Sequence, residues 1–148
     1  MTRNSAIAMR GALTLVEILL VLAVVGILAA LATPPYIAAR DRAAVQSAVT
    51  ASVAAFDAAR ALAITRGRRA AVHIDTSGAR LVVHSFRDTV LRVPLGASWG
   101  VQVSSTRDSS AIAPDGLGYG AANLLLILSR GASSDTITVS RLGRVARR

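Results

Sequence analysis

The sequence predicts an α+β chain in which one long N-terminal helix is followed by an antiparallel β head. Three observations carry this reading. Residues 13–32 form an apolar run broken only by Thr14, Glu17 and Gly26; residues 36–64 are alanine-rich with apolar side chains at three- and four-residue steps; and short β-like runs between turn residues follow Gly67. At 148 residues the chain suits one compact domain plus an appendage.

The first element is of membrane length. As a helix, residues 13–32 span about 30 Å, the thickness of a bilayer core. The preceding residues 1–12 are polar and carry Arg3 and Arg10, so this flank is expected to stay cytoplasmic and the chain beyond Pro34 to lie across the membrane. Glu17 is the only glutamate, and a charge at mid-membrane costs roughly 2.5–3.5 kcal/mol, less near an interface. It either sits at headgroup level or requires a partner. A secretory signal peptide would use Ala30, Leu31 and Ala32 as a small-x-small cleavage pattern, but its apolar core is usually about 7–15 residues and would not hold Glu17. A plain anchor gives Glu17 no role.

Pro34 and Pro35 should bend or interrupt the helix, since proline lacks the amide donor and clashes with the preceding turn. Alanine then favours a second helical stretch. Val45, Val49, Val53, Phe56 and Ala63 form its apolar stripe, with Asp41, Gln46, Ser47 and Asp57 as polar positions. Gly67 marks its end, and Arg66, Arg68 and Arg69 suit the negative pole there.

In the head, residues 71–75 and 80–85 form an expected hairpin around Thr76, Ser77 and Gly78. Further strands are expected at 89–93, 100–104, 124–128 and 136–140. Turns are signalled by Pro94 with Gly96, by Pro114, Asp115 and Gly116, and by Arg130 with Gly131. Residues 104–123 read as a loop holding one short strand.

Composition narrows the function. With no cysteine, disulfides and thiolate chemistry are excluded. The net charge of +9 comes entirely from arginine, which suits an arginine-biased solvated surface and, more weakly, anionic partners. His73 and His84 lack a metal-like spacing. Ser85, Ser129 and Ser140 lie in no nucleophile-elbow context, and Asp75 and Asp115 fall in turns. The glycines at 116, 118 and 120 are too short a set for a dinucleotide fingerprint. The chain therefore reads as a non-enzyme without cofactor or metal.

The stretch Arg10, Gly11, Ala12, Leu13, Thr14, Leu15, Val16, Glu17 resembles the prepilin processing and methylation motif of type IV pilins and type II secretion pseudopilins. With Leu13 as the first mature residue, Thr14 is second, Glu17 fifth and Pro34 twenty-second, positions at which that family often has Thr, Glu and a helix-kinking proline. Ala12 then stands before the cut where the family usually has glycine; cleavage after Gly11 would restore glycine but make Glu17 sixth. The resemblance implies that a prepilin peptidase cuts between Ala12 and Leu13 and N-methylates Leu13. It implies as well that Glu17 pairs with a neighbouring subunit's N-terminus, since a carboxylate in an apolar bundle needs a compensating charge.

The head resembles the pseudopilin H and FimT-like branch of that family. Ile112, Ala113, Pro114, Asp115 and Gly116 match its Pro-Asp-Gly loop, and residues 136–145 match its closing hairpin, which ends in Gly143 and Arg144. The implied organisation is a leader at 1–12, a transmembrane and assembly helix at 13–33, an amphipathic periplasmic helix at 34–66 and a β-rich periplasmic head at 67–148. The implied role is that of a minor pseudopilin in the periplasmic pseudopilus of a type II secretion system, held in the inner membrane with its N-terminus cytoplasmic; the alternative is a FimT-like minor type IV pilin in pilus assembly or DNA uptake. Implied partners are other pilins or pseudopilins, the prepilin peptidase, an inner-membrane assembly platform and membrane lipid. Arg141, Arg144, Arg147 and Arg148 crowd the C-terminus and suit contact with a partner protein or, less favoured, with DNA phosphates.

Overall fold

A computed structural model describes residues 14–85, 88–119 and 123–147. One helix, α1 (Leu15–Arg66), is followed by nine strands and a short helix: β1 (Ala70–Asp75), β2 (Arg80–Ser85), β3 (Asp88–Val93), α2 (Leu95–Trp99), β4 (Gln102–Ser105), β5 (Ser109–Ile112), β6 (Gly118–Tyr119), β7 (Leu124–Arg130), β8 (Ser133–Val139) and β9 (Val145–Arg147). The α+β class holds, with a long N-terminal helix packed on antiparallel sheets.

Helix α1 runs through Pro34 and Pro35. Of the expected bend or interruption, the interruption is absent: two lost amide donors do not end a helix whose flanks are rich in alanine and leucine. Serine and threonine are accommodated because their hydroxyls donate to the carbonyl one turn back, as in Ser47 to Ala43, Thr50 to Gln46 and Ser52 to Ala48. At the C-terminus Gly67 adopts φ +58°, its amide donates to Ile64 and the Arg68 amide to Ala63, a Schellman closure that satisfies two end carbonyls.

By internal contacts the chain forms two units, Met1–Tyr36 and Ile37–Arg148. In the first, α1 carries an 18-residue window of mean hydropathy 2.9, none of it buried. The second has a continuous core. Its helical face consists of Val45, Ala48, Val49, Ser52, Ala55, Phe56, Ala59 and Ala63. Ser52 takes the buried centre of this stripe, and the expected Val53 lies at its edge, half-buried, because the 3.6-residue period places position 52 directly between 48 and 56.

Two sheets supply the rest of the core. One has the order β3-β2-β1-β5-β6 and the other β4-β7-β8-β9, with every pairing antiparallel. Alternation puts Val72, Ile74, Leu81 and Val83 inward in the first, and Leu124, Leu126, Leu128, Ile137 and Val139 inward in the second. The chain leaves the first sheet through α2 and β4 and returns for β5. Residues 104–123, expected as a loop with one short strand, instead supply the end of β4 together with β5 and β6. The turn expected at Pro94 and Gly96 contains α2, whose closure depends on Gly100 at φ +65°.

Candidate functional site

The described residues with an expected functional role fall on α1 and on the surface of the head. At the start of α1, Thr14 precedes the first helical residue and its Oγ1 accepts the amide of Glu17 at 3.2 Å; its carbonyl accepts the amide of Ile18. Thr14 is thus the N-cap and Glu17 the third helical residue, the spacing of a capping box, with the carboxylate near the positive end of the helix dipole. Glu17 is exposed. From Leu15 to Leu31, twelve large apolar side chains are 47–74% exposed. Residues 1–12 and Leu13, and with them both candidate cleavage positions at Gly11 and Ala12, lie outside the described residues, as do Gly120 and Arg148. Pro34 lies within α1.

The C-terminal arginines are held by different neighbours. Arg147 pairs with Asp135 at 2.5 Å and donates to Gln46 at 3.3 Å, fastening β9 to β8 and to α1. The Arg141 amide donates to Asn123 Oδ1. Arg144 exchanges bonds with Ser140, its amide donating to Ser140 Oγ and its carbonyl accepting the Ser140 amide. Next to them, the Leu142 carbonyl accepts from Arg60. Gln46 and Arg60 are 14 residues apart on one helix, about 21 Å of rise. The tail is therefore spread along α1, and the Arg147 charge is already compensated.

Three features organise the head beyond what sequence reasoning assigned. Arg60 donates from Nε to the Gly116 carbonyl at 2.9 Å and from Nη2 to the Leu142 carbonyl at 3.2 Å, so one side chain on α1 holds both the Pro-Asp-Gly loop and the closing turn. Its signal is a lone cation four residues after Phe56, beside the buried Ala55, Ala59 and Ala63. Arg130 pairs with Asp41 at 3.0 Å and also donates to the Trp99 carbonyl, linking β7, α1 and α2. Arg69 lies 3.5 Å from the centroid of the Tyr119 ring, a cation–π contact. The last two join residues 89 and 50 positions apart in sequence, and no local pattern announces them.

The turn aspartates behave as expected. Asp115 Oδ1 accepts the Leu117 amide at 2.9 Å. Asp75 accepts from the Ser77 hydroxyl, the Gly78 amide and Arg80, and these bonds, the serine's foremost, hold its carboxyl down at about 2 against 3.8 ordinarily. His84 Nδ1 lies 3.2 Å from Thr89 Oγ1, and His73 occupies the neighbouring strand of the same polar face, with Asp75, Arg80 and Arg92 around it. Among the described residues no three His, Asp or Glu side chains come together as a metal set.

No protein-family model and no curated protein matches the sequence. Solved structures do match the fold. Two crystal forms of the type IV minor pilin FimU of Pseudomonas aeruginosa align with TM-scores of 0.61 and 0.57, at 14% and 13% identity, covering 70% of this chain and 87% and 91% of theirs. The minor pseudopilin EpsH of the Vibrio cholerae Type 2 Secretion System aligns with a TM-score of 0.55 at 13% identity, covering 70% of this chain and 95% of its own. The fold is therefore that of type IV minor pilins and minor pseudopilins.

Proposed function

We propose that this chain is a minor subunit of a type IV pilin-like filament, anchored in the inner membrane by the first part of α1 before assembly, with its head in the periplasm. The observation that carries this reading is the wholly exposed apolar segment of α1. Its twelve large side chains need either lipid or neighbouring helices, at roughly 1.5–3 kcal/mol for each fully buried one. The shared fold of the FimU and EpsH heads supports the same role. The finer reading is a minor pseudopilin of a type II secretion system, supported by a likeness that spans 95% of EpsH. The second is a minor type IV pilin, favoured by the TM-score of 0.61 to FimU.

In this function Leu13 is the methylated N-terminus left after removal of residues 1–12, Glu17 compensates a neighbour's N-terminal charge, and Pro34 is the kink of the assembly helix. The partners are other pilins or pseudopilins, the processing peptidase and an assembly platform. Intact mass of the chain isolated from its own membranes tests the processing step: the expected product begins at N-methylated Leu13. A chain beginning at Thr33, or still at Met1, would sink the filament reading. Deletion of the gene separates the two systems, because loss of protein export with normal pili identifies the pseudopilus, and the reverse identifies the pilus.

A further inference from the structure

Where the ends of the two sheets meet, the head contains a small polar groove of about 150 Å³. Arg107 enters it from the β4–β5 loop, Ser109 and Ser110 from β5, Tyr119 from β6, and Ser140 with Arg141 from the end of β8. No carboxylate is among its lining residues; Asp108, next to Arg107 in sequence, is not one of them. Neither arginine forms an ion pair among the described residues.

The groove is built before any ligand arrives. Thr106 is fixed by two bonds to Leu125, its amide donating to the Leu125 carbonyl and its Oγ1 accepting the Leu125 amide, and the Arg107 amide donates to Ser105 Oγ. On the opposite wall the Arg141 amide is held by Asn123, and Ser140 Oγ accepts the Arg144 amide, which leaves the hydroxyl proton to donate. Gly118 permits the approach of the walls, because a Cβ there would overlap the Arg141 carbonyl. Arg69, stacked on Tyr119, adds a third cation beside the groove.

We infer that this groove binds a phosphate-type oxyanion. Two guanidinium groups and four hydroxyls offer donors from both walls to a compact group with several acceptor oxygens, the arrangement in which charge-assisted hydrogen bonds are strongest. The small volume favours one phosphate group over a larger ligand. Such a group is either free phosphate or the headgroup of a phospholipid. The groove lies wholly within the head and functions as a site whether or not the chain enters a filament.

The test uses the full chain in neutral detergent micelles, titrated with inorganic phosphate at constant ionic strength and followed by the amide resonances of Ser110, Tyr119 and Arg141. Saturable shifts confined to the groove are expected. Arg107→Gln and Arg141→Gln should each weaken binding by roughly tenfold or more. Arg92→Gln, a cation on the outer face around His73, should leave it unchanged. Absent or non-saturating shifts would overturn the inference, as would an equal loss with Arg92→Gln, which would mean that net charge alone attracts the ion. Micelles doped with phosphatidylglycerol distinguish the sources: competition with phosphate for the same amides identifies a headgroup, and phosphate binding unaffected by the lipid identifies the free ion.

Discussion

Breaking the Asp41–Arg130 pair should loosen the head more than a surface ion pair would. The side chains are 14% and 24% exposed at 3.0 Å, between solvent and core. Exposed pairs contribute about 0.2–1 kcal/mol, whereas removing one partner of a buried pair costs about 3–5. Asp41→Asn is therefore expected to cost about 2 kcal/mol. Arg130→Gln should cost somewhat more, because it also deprives the Trp99 carbonyl of its donor. Trp99 is the only tryptophan, so urea unfolding of the full chain in detergent can be followed by its fluorescence. With a slope of about 2 kcal/mol/M, Asp41→Asn should lower the midpoint by about 1 M. A double-mutant cycle should give a coupling of about 1.5 kcal/mol, largely retained at about 0.5 M salt. A coupling under about 0.5 kcal/mol, or one abolished by salt, would show that the pair is an ordinary surface contact and that the clamp reading is wrong.

Other outcomes follow from the same geometry. Gly131→Ala should destabilise the head by about 1–3 kcal/mol in that assay, since Gly131 has φ +55° and a Cβ there would overlap the Asp41 carboxylate. Arg60→Ala should release the Pro-Asp-Gly loop and the closing turn together, seen as faster hydrogen exchange at Gly116 and Gly143 with little change at β1 and β2; unchanged exchange at both glycines would remove the clasp. For Asp75 the folded-state pKa is depressed, so its stabilising effect is complete above about pH 4 and is lost as pH falls towards 2. The thermal midpoint difference between the native chain and Asp75→Asn should therefore shrink across that window, and a difference independent of pH would contradict the assignment.

How much of this was legible depended on the range of the interactions concerned. The apolar run, the helix end at Gly67 and the β1–β2 hairpin are set by neighbours a few residues apart, and their patterns stand in the sequence. Strand β6 is only Gly118 and Tyr119, too short to alternate, and it exists because β5 offers an edge to pair with. The passage of β4 into the second sheet has no local sign either. The same division holds for function. Thr14 and Glu17 were visible by spacing, whereas the groove between Arg107 and Arg141 depends on two loops 34 residues apart being brought together. The C-terminal arginines, adjacent enough in sequence to look like one basic patch, are held by separate partners: Arg147 by Asp135 and by Gln46 on α1, the Arg141 amide by Asn123 and the Arg144 amide by Ser140.

At Thr14 and Glu17 one substitution can separate the helix cap seen in the structure from the proposed role in assembly. In the structure Thr14 caps α1 and Glu17 occupies the third helical position, where either glutamate or glutamine completes a capping box. That role needs no charge. Pairing with a neighbour's N-terminal amine does, because a neutral amide leaves the buried cation uncompensated. Glu17→Gln therefore preserves the cap and would remove the proposed ion pair. If Glu17 serves assembly, the variant should be cleaved and should accumulate in the membrane at normal levels, yet fail to enter filaments or to cross-link to neighbouring subunits. Thr14→Ala should do the opposite, fraying the first turn at a cost of about 1 kcal/mol while leaving the charge available. A Glu17→Gln chain that assembles as well as the native one would assign this glutamate to the start of the helix alone.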